Sequence, residues 1–109
     1  MTAAANNISA GPRRKTWMAM TDHQQREALR LTLNTLSAAA TGSPAGVAQT
    51  LAEAAAIAPA VEDHVAWAAA YLTATLRLTV DPTGQTSRHL TTGRQLRAQE
   101  APAQEGLFT

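Results

Sequence analysis

The sequence predicts an all-α fold, and three observations support this prediction. Good helix formers dominate the composition, and alanine and leucine are the most prominent of them. Runs of β-branched residues are absent, and apolar residues recur at helical spacing in three segments bounded by capping residues, glycine and proline. A chain of 109 residues forms at most one domain. We therefore expect a small bundle of three main helices, at about 21–41, 43–58 and 60–80.

The first predicted helix begins at Thr21 and ends before Gly42. Thr21 and Gln24 have the spacing of a capping box, in which each side chain bonds the backbone N–H of the other residue. Glycine adopts the left-handed conformation that commonly ends a helix. The apolar face that we expect to pack in the core consists of Leu29, Leu33, Leu36 and Ala40.

The second predicted helix lies between Ser43 and Pro59. Serine is a good N-cap, and Pro44 follows it at the first helical position, where the missing N–H costs nothing. Pro59 is expected to end or kink this helix, because proline cannot donate to the preceding turn. Its apolar face consists of Val47, Leu51, Ala54 and Ala58.

The third predicted helix is the most apolar segment of the chain. One face consists of Val61, Val65, Ala68, Leu72 and Leu76, and an adjacent face of Trp67, Tyr71 and Leu78. A helix that is apolar around most of its circumference is central in a bundle or shared with another chain. Because a core of about sixty residues is marginal, we expect a homodimer through Trp67, Tyr71 and Leu78. The turn at 81–84 ends the compact region.

Outside the predicted helices the chain is polar. Ala, Asn, Ser, Gly and Pro make up most of residues 1–15, and Leu90 and Leu96 are the only large apolar residues of 85–99. Gly93 would interrupt a helix there. We divide the chain into a disordered basic leader (1–15), a helical domain (16–80), a polar linker or weak helix (81–99) and a flexible tail (100–109).

Composition limits the classes of function. The chain has no cysteine, which excludes disulfides and thiolate zinc sites and fits a reducing cytoplasm. No apolar stretch is long enough to cross a bilayer. The formal net charge is +1, so no strong overall field attracts nucleic acid. We expect a cytoplasmic protein that does not span a membrane.

The titratable residues do not form a recognisable catalytic or metal-binding pattern. His23, His64 and His89 lie in three different segments, and none has a second histidine one helical turn away. The cluster at 62–64, Glu-Asp-His, is expected to be the solvated start of the third helix. The glycines of 42–46 lack the lysine of a phosphate-binding loop. We therefore expect no enzyme activity, no metal and no cofactor.

The C-terminal segment carries the most specific functional motif. Residues 104–109 read Gln-Glu-Gly-Leu-Phe-Thr, and Phe108 is the only phenylalanine in the chain. Over five residues this segment resembles the short linear motif by which bacterial replication and repair proteins bind the β sliding clamp. The resemblance implies that Gln104 hydrogen-bonds at the rim of the clamp pocket. It also implies that Leu107 and Phe108 enter its hydrophobic cleft.

The motif leads to the first functional hypothesis, and two alternative hypotheses about the tail remain open. The hypothesis is a non-enzymatic adaptor or modulator of DNA replication or repair that is tethered to the clamp. Glu105 occupies a position that is often leucine in stronger motifs, so the expected affinity is weak, in the micromolar range. Alternatively, the tail docks on its own helical domain, or it is idle or serves another partner.

Two further hypotheses concern the remainder of the chain. A DNA-binding transcriptional regulator would use a basic N-terminal arm, and the candidate nucleic-acid contacts are Arg13, Arg14, Lys15, Arg88, Arg94 and Arg97. Against it, the second and third helices have few polar residues that could read base edges. The other hypothesis is a structural helical interaction protein, such as a phage or plasmid accessory component.

Overall fold

The computed structural model describes residues 13–76, 81 and 83–108, and the side chains among them up to Glu100. Within these residues the chain forms five helical segments, which are 13–19 (α1), Asp22–Ala40 (α2), Pro44–Ile57 (α3), Pro59–Thr75 (α4) and Gln85–Phe108 (α5). The described residues contain no strand, which confirms the all-α prediction. The count of three main helices is wrong, because α5 is a fourth and is the longest.

The helix ends that carry sequence signals lie where they were predicted. Thr21 Oγ1 accepts from the Gln24 N–H at 3.1 Å, and Gln24 Oε1 accepts from the Thr21 N–H at 3.0 Å. Gly42 has a φ of +81°, which is the left-handed conformation expected after α2. Ser43 Oγ accepts from the Gly46 N–H at 3.0 Å and caps α3. Each bond joins residues three apart, so it forms regardless of how the helices pack.

Pro59 separates α3 from α4 rather than kinking one long helix. Ala58 is extended, with φ −169° and ψ 148°, as expected for a residue that precedes proline. Pro59 then occupies the first position of α4, where it sacrifices no hydrogen bond. The described part of α4 ends at Thr75, and the predicted continuation through 77–80 lies outside the described residues.

The predicted core face of α2 is wrong. The buried residues are Ala28, Leu31, Thr32, Thr35 and Ala39. Leu29 and Leu33 are instead 57% and 66% exposed. Thr32 and Thr35 donate their hydroxyls to the carbonyl oxygens one turn earlier, each at 2.7 Å, so their burial leaves no unpaired polar group. Small residues let α2 lie close to α3 and α4.

The predicted faces of α3 and α4 are largely correct. Val47, Leu51, Ala54, Val61 and Val65 are buried and join Leu31 in the core. Both helices present an apolar residue about every turn, so the apolar period and the direction of burial agree. Leu76, the last residue of the apolar face predicted for the third helix, does not follow this pattern, since it is 46% exposed.

Helix α5 belongs to the fold, and it covers most of the segment that was predicted to be a polar linker or weak helix, 81–99. It packs extensively against α3. Leu90 is buried in the common core. The helix does not break at Gly93, which lies against α3. The backbone remains helical as far as Phe108, where a flexible tail was expected.

Helix α1 begins within the segment that was predicted to be a leader. Residues 13–15 were assigned to a disordered leader, but they begin α1. The Trp17 carbonyl oxygen accepts from the Gln25 side-chain amide at 2.8 Å, and Met20 is buried in the core. The remainder of the predicted leader, residues 1–12, lies outside the described residues.

None of the helices in the described part of the chain combines the length and the apolar character needed to span a membrane.

Candidate functional site

The C-terminal motif follows the last described side-chain contacts between α5 and the helical body. Arg97 Nε donates to Glu62 Oε2 of α4 at 2.8 Å, and Ala98 lines the adjacent groove. The next two residues, Gln99 and Glu100, are exposed. The backbone of the motif continues in helical conformation, but the side chains of Gln104, Leu107 and Phe108 lie outside the described residues. Their predicted role therefore stays a prediction.

The structure brings three of the six predicted nucleic-acid contacts together at the start of α4. Arg13 forms an ion pair with Asp63, and Arg97 forms one with Glu62. Arg94 lines the same groove as both acidic residues. Two of these three arginines thus have a carboxylate partner, which lowers the positive potential available to a phosphate backbone.

The other three predicted nucleic-acid contacts do not join this group. Arg14 and Lys15 are exposed on α1, and Arg88 is exposed near the start of α5. On a helix of 3.6 residues per turn, Arg88 points in a different direction from Arg94 and Arg97. The six candidate nucleic-acid contacts therefore do not form one continuous basic surface.

A groove of about 340 Å³ lies between α3, α4 and α5. It is open to solvent, and its polar wall consists of the Glu62–Arg97 pair with Asp63 and Arg94. The apolar wall is formed by Leu51, Pro59, Ala66 and Ala98. Since the charges are largely paired within the wall, the groove offers no strong recognition of a single ionic group.

An aromatic cluster joins α1 to α4. The ring centroids of Trp17 and His64 are 5.0 Å apart, those of His64 and Trp67 are 5.8 Å apart, and Trp67 stacks on Tyr71 at 5.2 Å. The Arg13 guanidinium lies 5.6 Å from the centre of a Trp67 ring. These contacts hold α1 on α4 and give the aromatic residues of α4 a partner within the chain.

His64 is the titratable group whose surroundings differ most from the sequence-based expectation. It was expected at a solvated helix start, but it lies between two tryptophans, and its Nδ1 is buried without a hydrogen-bond partner. Burial lowers the pKa of His64 below its usual value, and the nearby Arg13 cation lowers this pKa further. His64 therefore favours the neutral form.

The predicted dimer interface is described only in part. Trp67 is half-buried in the aromatic cluster, Tyr71 is 54% exposed, and Leu78 lies outside the described residues. Self-association through this face stays a prediction. Sequence reasoning missed a second apolar surface, the exposed leucines of α2, because it placed them in the core. The signal was present in the alternative series Ala28, Leu31, Thr35 and Ala39, which also recurs at helical spacing.

The described residues contain no group of three or more histidine, aspartate or glutamate side chains arranged to hold a metal ion. The features that the structure does place on the surface are an exposed leucine face, an aromatic cluster and paired charges. Comparison with protein-family models gives no match, and neither does comparison with curated proteins or with solved structures. The class that the fold defines is a small all-α protein.

Proposed function

We propose that this chain is a non-enzymatic, cytoplasmic adaptor in DNA replication or repair, and that its C-terminal segment binds the β sliding clamp. The observation that carries the proposal is the position of the motif relative to the helical body. Gln104 follows Arg97, the last residue of α5 with a described bond to another helix, by about 10 Å of helix at 1.5 Å per residue. Binding of a clamp at the motif therefore leaves the described bonds between α5 and the helical body in place.

The local sequence favours a segment that changes conformation on binding. Proline and glycine are the two poorest helix formers. Pro102 and Gly106 both lie in the last third of α5. The free energy needed to unwind the end of α5 is therefore small. Leu107 and Phe108 would supply most of the affinity, since a few large apolar anchors usually dominate a short-peptide interface. Ordering Gly106 lowers the affinity, which agrees with the expected micromolar binding.

The test is calorimetric titration of the full chain into the sliding clamp of the same organism. The variant Leu107→Ala/Phe108→Ala removes the anchors, and Gln99→Ala/Glu100→Ala is a matched control in the exposed turns before the motif. We expect saturable binding for the wild type and the control, with at least a tenfold loss, about 1.4 kcal/mol or more, for the anchor variant. Absence of binding at tens of micromolar would overturn the proposal.

A small DNA-binding regulator is the second candidate. It is favoured by the exposed side chains of Arg14 and Lys15, which adjoin each other on α1, and it is disfavoured by the ion pair that occupies Arg13. Binding to duplex DNA should then fall with added salt, and Arg14→Ala/Lys15→Ala should reduce the slope of that dependence by about 2. If neither clamp nor DNA binds, the structural interaction protein becomes the better hypothesis.

A further inference from the structure

Helix α2 exposes its leucines and buries smaller residues. Leu29 and Leu33 are 57% and 66% exposed, Leu36 is half-buried at the edge of the core, and Ala40 is exposed. These four residues, Leu29, Leu33, Leu36 and Ala40, form a continuous line along α2 that we call the leucine stripe. No other helix of the described chain covers its outer side, so two leucines remain largely in contact with water.

The spacing of the leucine stripe is that of a helix–helix seam. Successive members are four, three and four residues apart, as in the a and d positions of a coiled coil. This series is the same when it is read from either end. A two-fold axis perpendicular to α2 therefore superimposes the stripe on that of an antiparallel second copy. Leu29 then lies opposite Ala40 of the other copy, and Leu33 lies opposite Leu36.

This arrangement matches large side chains with small ones at its ends. A self-complementary patch of this kind is what a two-fold symmetric interface requires, because each contact occurs twice. A parallel pairing would place Leu29 against Leu29 and Ala40 against Ala40. It would be crowded at one end and poorly filled at the other.

Charge also favours the antiparallel orientation. Arg26 is exposed and precedes the stripe by three residues, whereas the last turn of α2 contains no basic residue. In an antiparallel pair, Arg26 of each copy lies near the C-terminal end of the other α2, where the helix dipole is negative. A parallel pair would instead bring the two Arg26 cations together.

We infer that the leucine stripe is a self-association surface, through which α2 pairs antiparallel with α2 of a second copy. The stripe is about 17 Å long at 1.5 Å per residue. A single seam of this length buries less surface than the about 800 Å² per partner of a standard stable interface. We therefore expect a weak dimer that forms reversibly. The stripe shares no residue with the clamp motif or with the aromatic cluster. A dimer would carry two C-terminal motifs and increase the avidity for any target with two sites.

The first test is sedimentation equilibrium of the full chain from micromolar to near-millimolar concentration. We expect a monomer–dimer equilibrium for the wild type and a monomer throughout for Leu29→Glu/Leu33→Glu. Leu96→Glu is the matched control, because it places the same charge on an exposed leucine of α5 that is not part of the stripe. Circular dichroism should show unchanged helicity, since the substituted side chains lie outside the core. A wild-type monomer at every concentration, or a dimer that survives the leucine substitutions, would overturn the inference.

The second test determines the orientation of the two copies. The chain contains no cysteine, so Asp22→Cys introduces a single site for a spin label at the exposed start of α2. Antiparallel pairing places the two labels about 35–40 Å apart along the helices, and parallel pairing places them side by side. A long distance in dipolar spectroscopy supports the inference, and a short one excludes it. Neither measurement involves the clamp, so failure here is distinguishable from failure of the proposed function.

Discussion

Gly93 of α5 lies so close to Val47 of α3 that no side chain fits between the two helices. A Cβ placed on Gly93 would be 2.5 Å from Val47 Cγ1 and 2.8 Å from the carbonyl oxygen of Pro44. Because the second of these atoms belongs to the backbone, it cannot move aside as the end of a flexible side chain would. The glycine that interrupts the sequence pattern of α5 is therefore the residue that allows α5 to join the core.

Gly93→Ala should destabilise the fold although alanine is the better helix former. Overpacking costs about 1–3 kcal/mol, and the gain in helix propensity returns about 1 kcal/mol at most. We expect a net loss of about 1–2 kcal/mol in urea unfolding. Thr92→Ala, at an exposed neighbouring position, should change the free energy of unfolding by about 0.5 kcal/mol or less. Greater stability of Gly93→Ala would contradict the close packing.

Asp81 connects the turn before α5 to the first turn of that helix by hydrogen bonds. Its contribution to the free energy of unfolding should depend on pH. Its carboxylate accepts from the Ser87 hydroxyl at 2.5 Å, from the Thr86 N–H at 2.9 Å and from the Ser87 N–H at 3.1 Å. The Ser87 hydroxyl bond is the main cause that holds the pKa of Asp81 below its ordinary value. The depressed pKa means that protonation is less favourable in the folded state.

The stabilisation by Asp81 should be complete above the unfolded pKa of about 3.9 and be lost as pH falls through the lower folded value. Asp81→Ala should therefore lower the urea midpoint at neutral pH, and its difference from the wild type should shrink in acid. In Ser87→Ala, an NMR titration should show the pKa of Asp81 nearer its ordinary value. An unchanged pKa in that variant would show that the hydroxyl bond is not the main cause.

The burial of His64 predicts a second pH dependence of stability, at higher pH than that of Asp81. Its pKa is lowered chiefly by burial and next by Arg13, while Asp63 acts in the opposite direction. The unfolded chain then binds a proton more readily than the folded one, so stability falls as pH drops from about 6.5 towards the folded pKa. His64→Gln should remove this fall, as seen in urea midpoints measured between pH 5 and 8.

The effects of charge and of burial on the pKa of His64 can be separated by removing the Arg13 cation while the ring stays buried. In Arg13→Gln the pKa of His64 should rise but stay below its ordinary value, because the tryptophans still exclude water from the ring. The measurement is an NMR titration of the imidazole protons. If the pKa of His64 in the wild-type protein equalled that of an exposed histidine, the buried, neutral state would be disproved.

Thr35 and Thr50 connect α2 to α3 through a hydrogen bond of 2.7 Å between their hydroxyls. Thr35→Val should cost about 1 kcal/mol, because valine keeps the shape and removes the bond. The double variant Thr35→Val/Thr50→Val should cost less than the sum of the single ones, because each single variant already removes the one bond that the two hydroxyls share. Thr32→Val, whose hydroxyl bonds only within α2, should show no such coupling with Thr50→Val. Additive costs at Thr35 and Thr50 would indicate that their bond contributes nothing.

The candidate site was predictable in its residues and not in its contacts. The C-terminal motif is defined by the order of a few residues, so it could be found without a structure. The pairing of Arg13 with Asp63 could not, because these residues are far apart in the chain and meet only when α1 packs on α4. The same holds for the burial of His64, which depends on Trp17 of another helix.

The sequence by itself determined the helix boundaries at Thr21, Gly42, Ser43 and Pro59. Each of these depends on bonds or backbone angles within a few residues, so the local chemistry is sufficient. Only the tertiary structure decided which side of α2 is buried and whether the polar segment after residue 84 joins the core. Those outcomes depend on how closely helices approach, and alanine, threonine and Gly93 allow an approach that larger leucines would prevent.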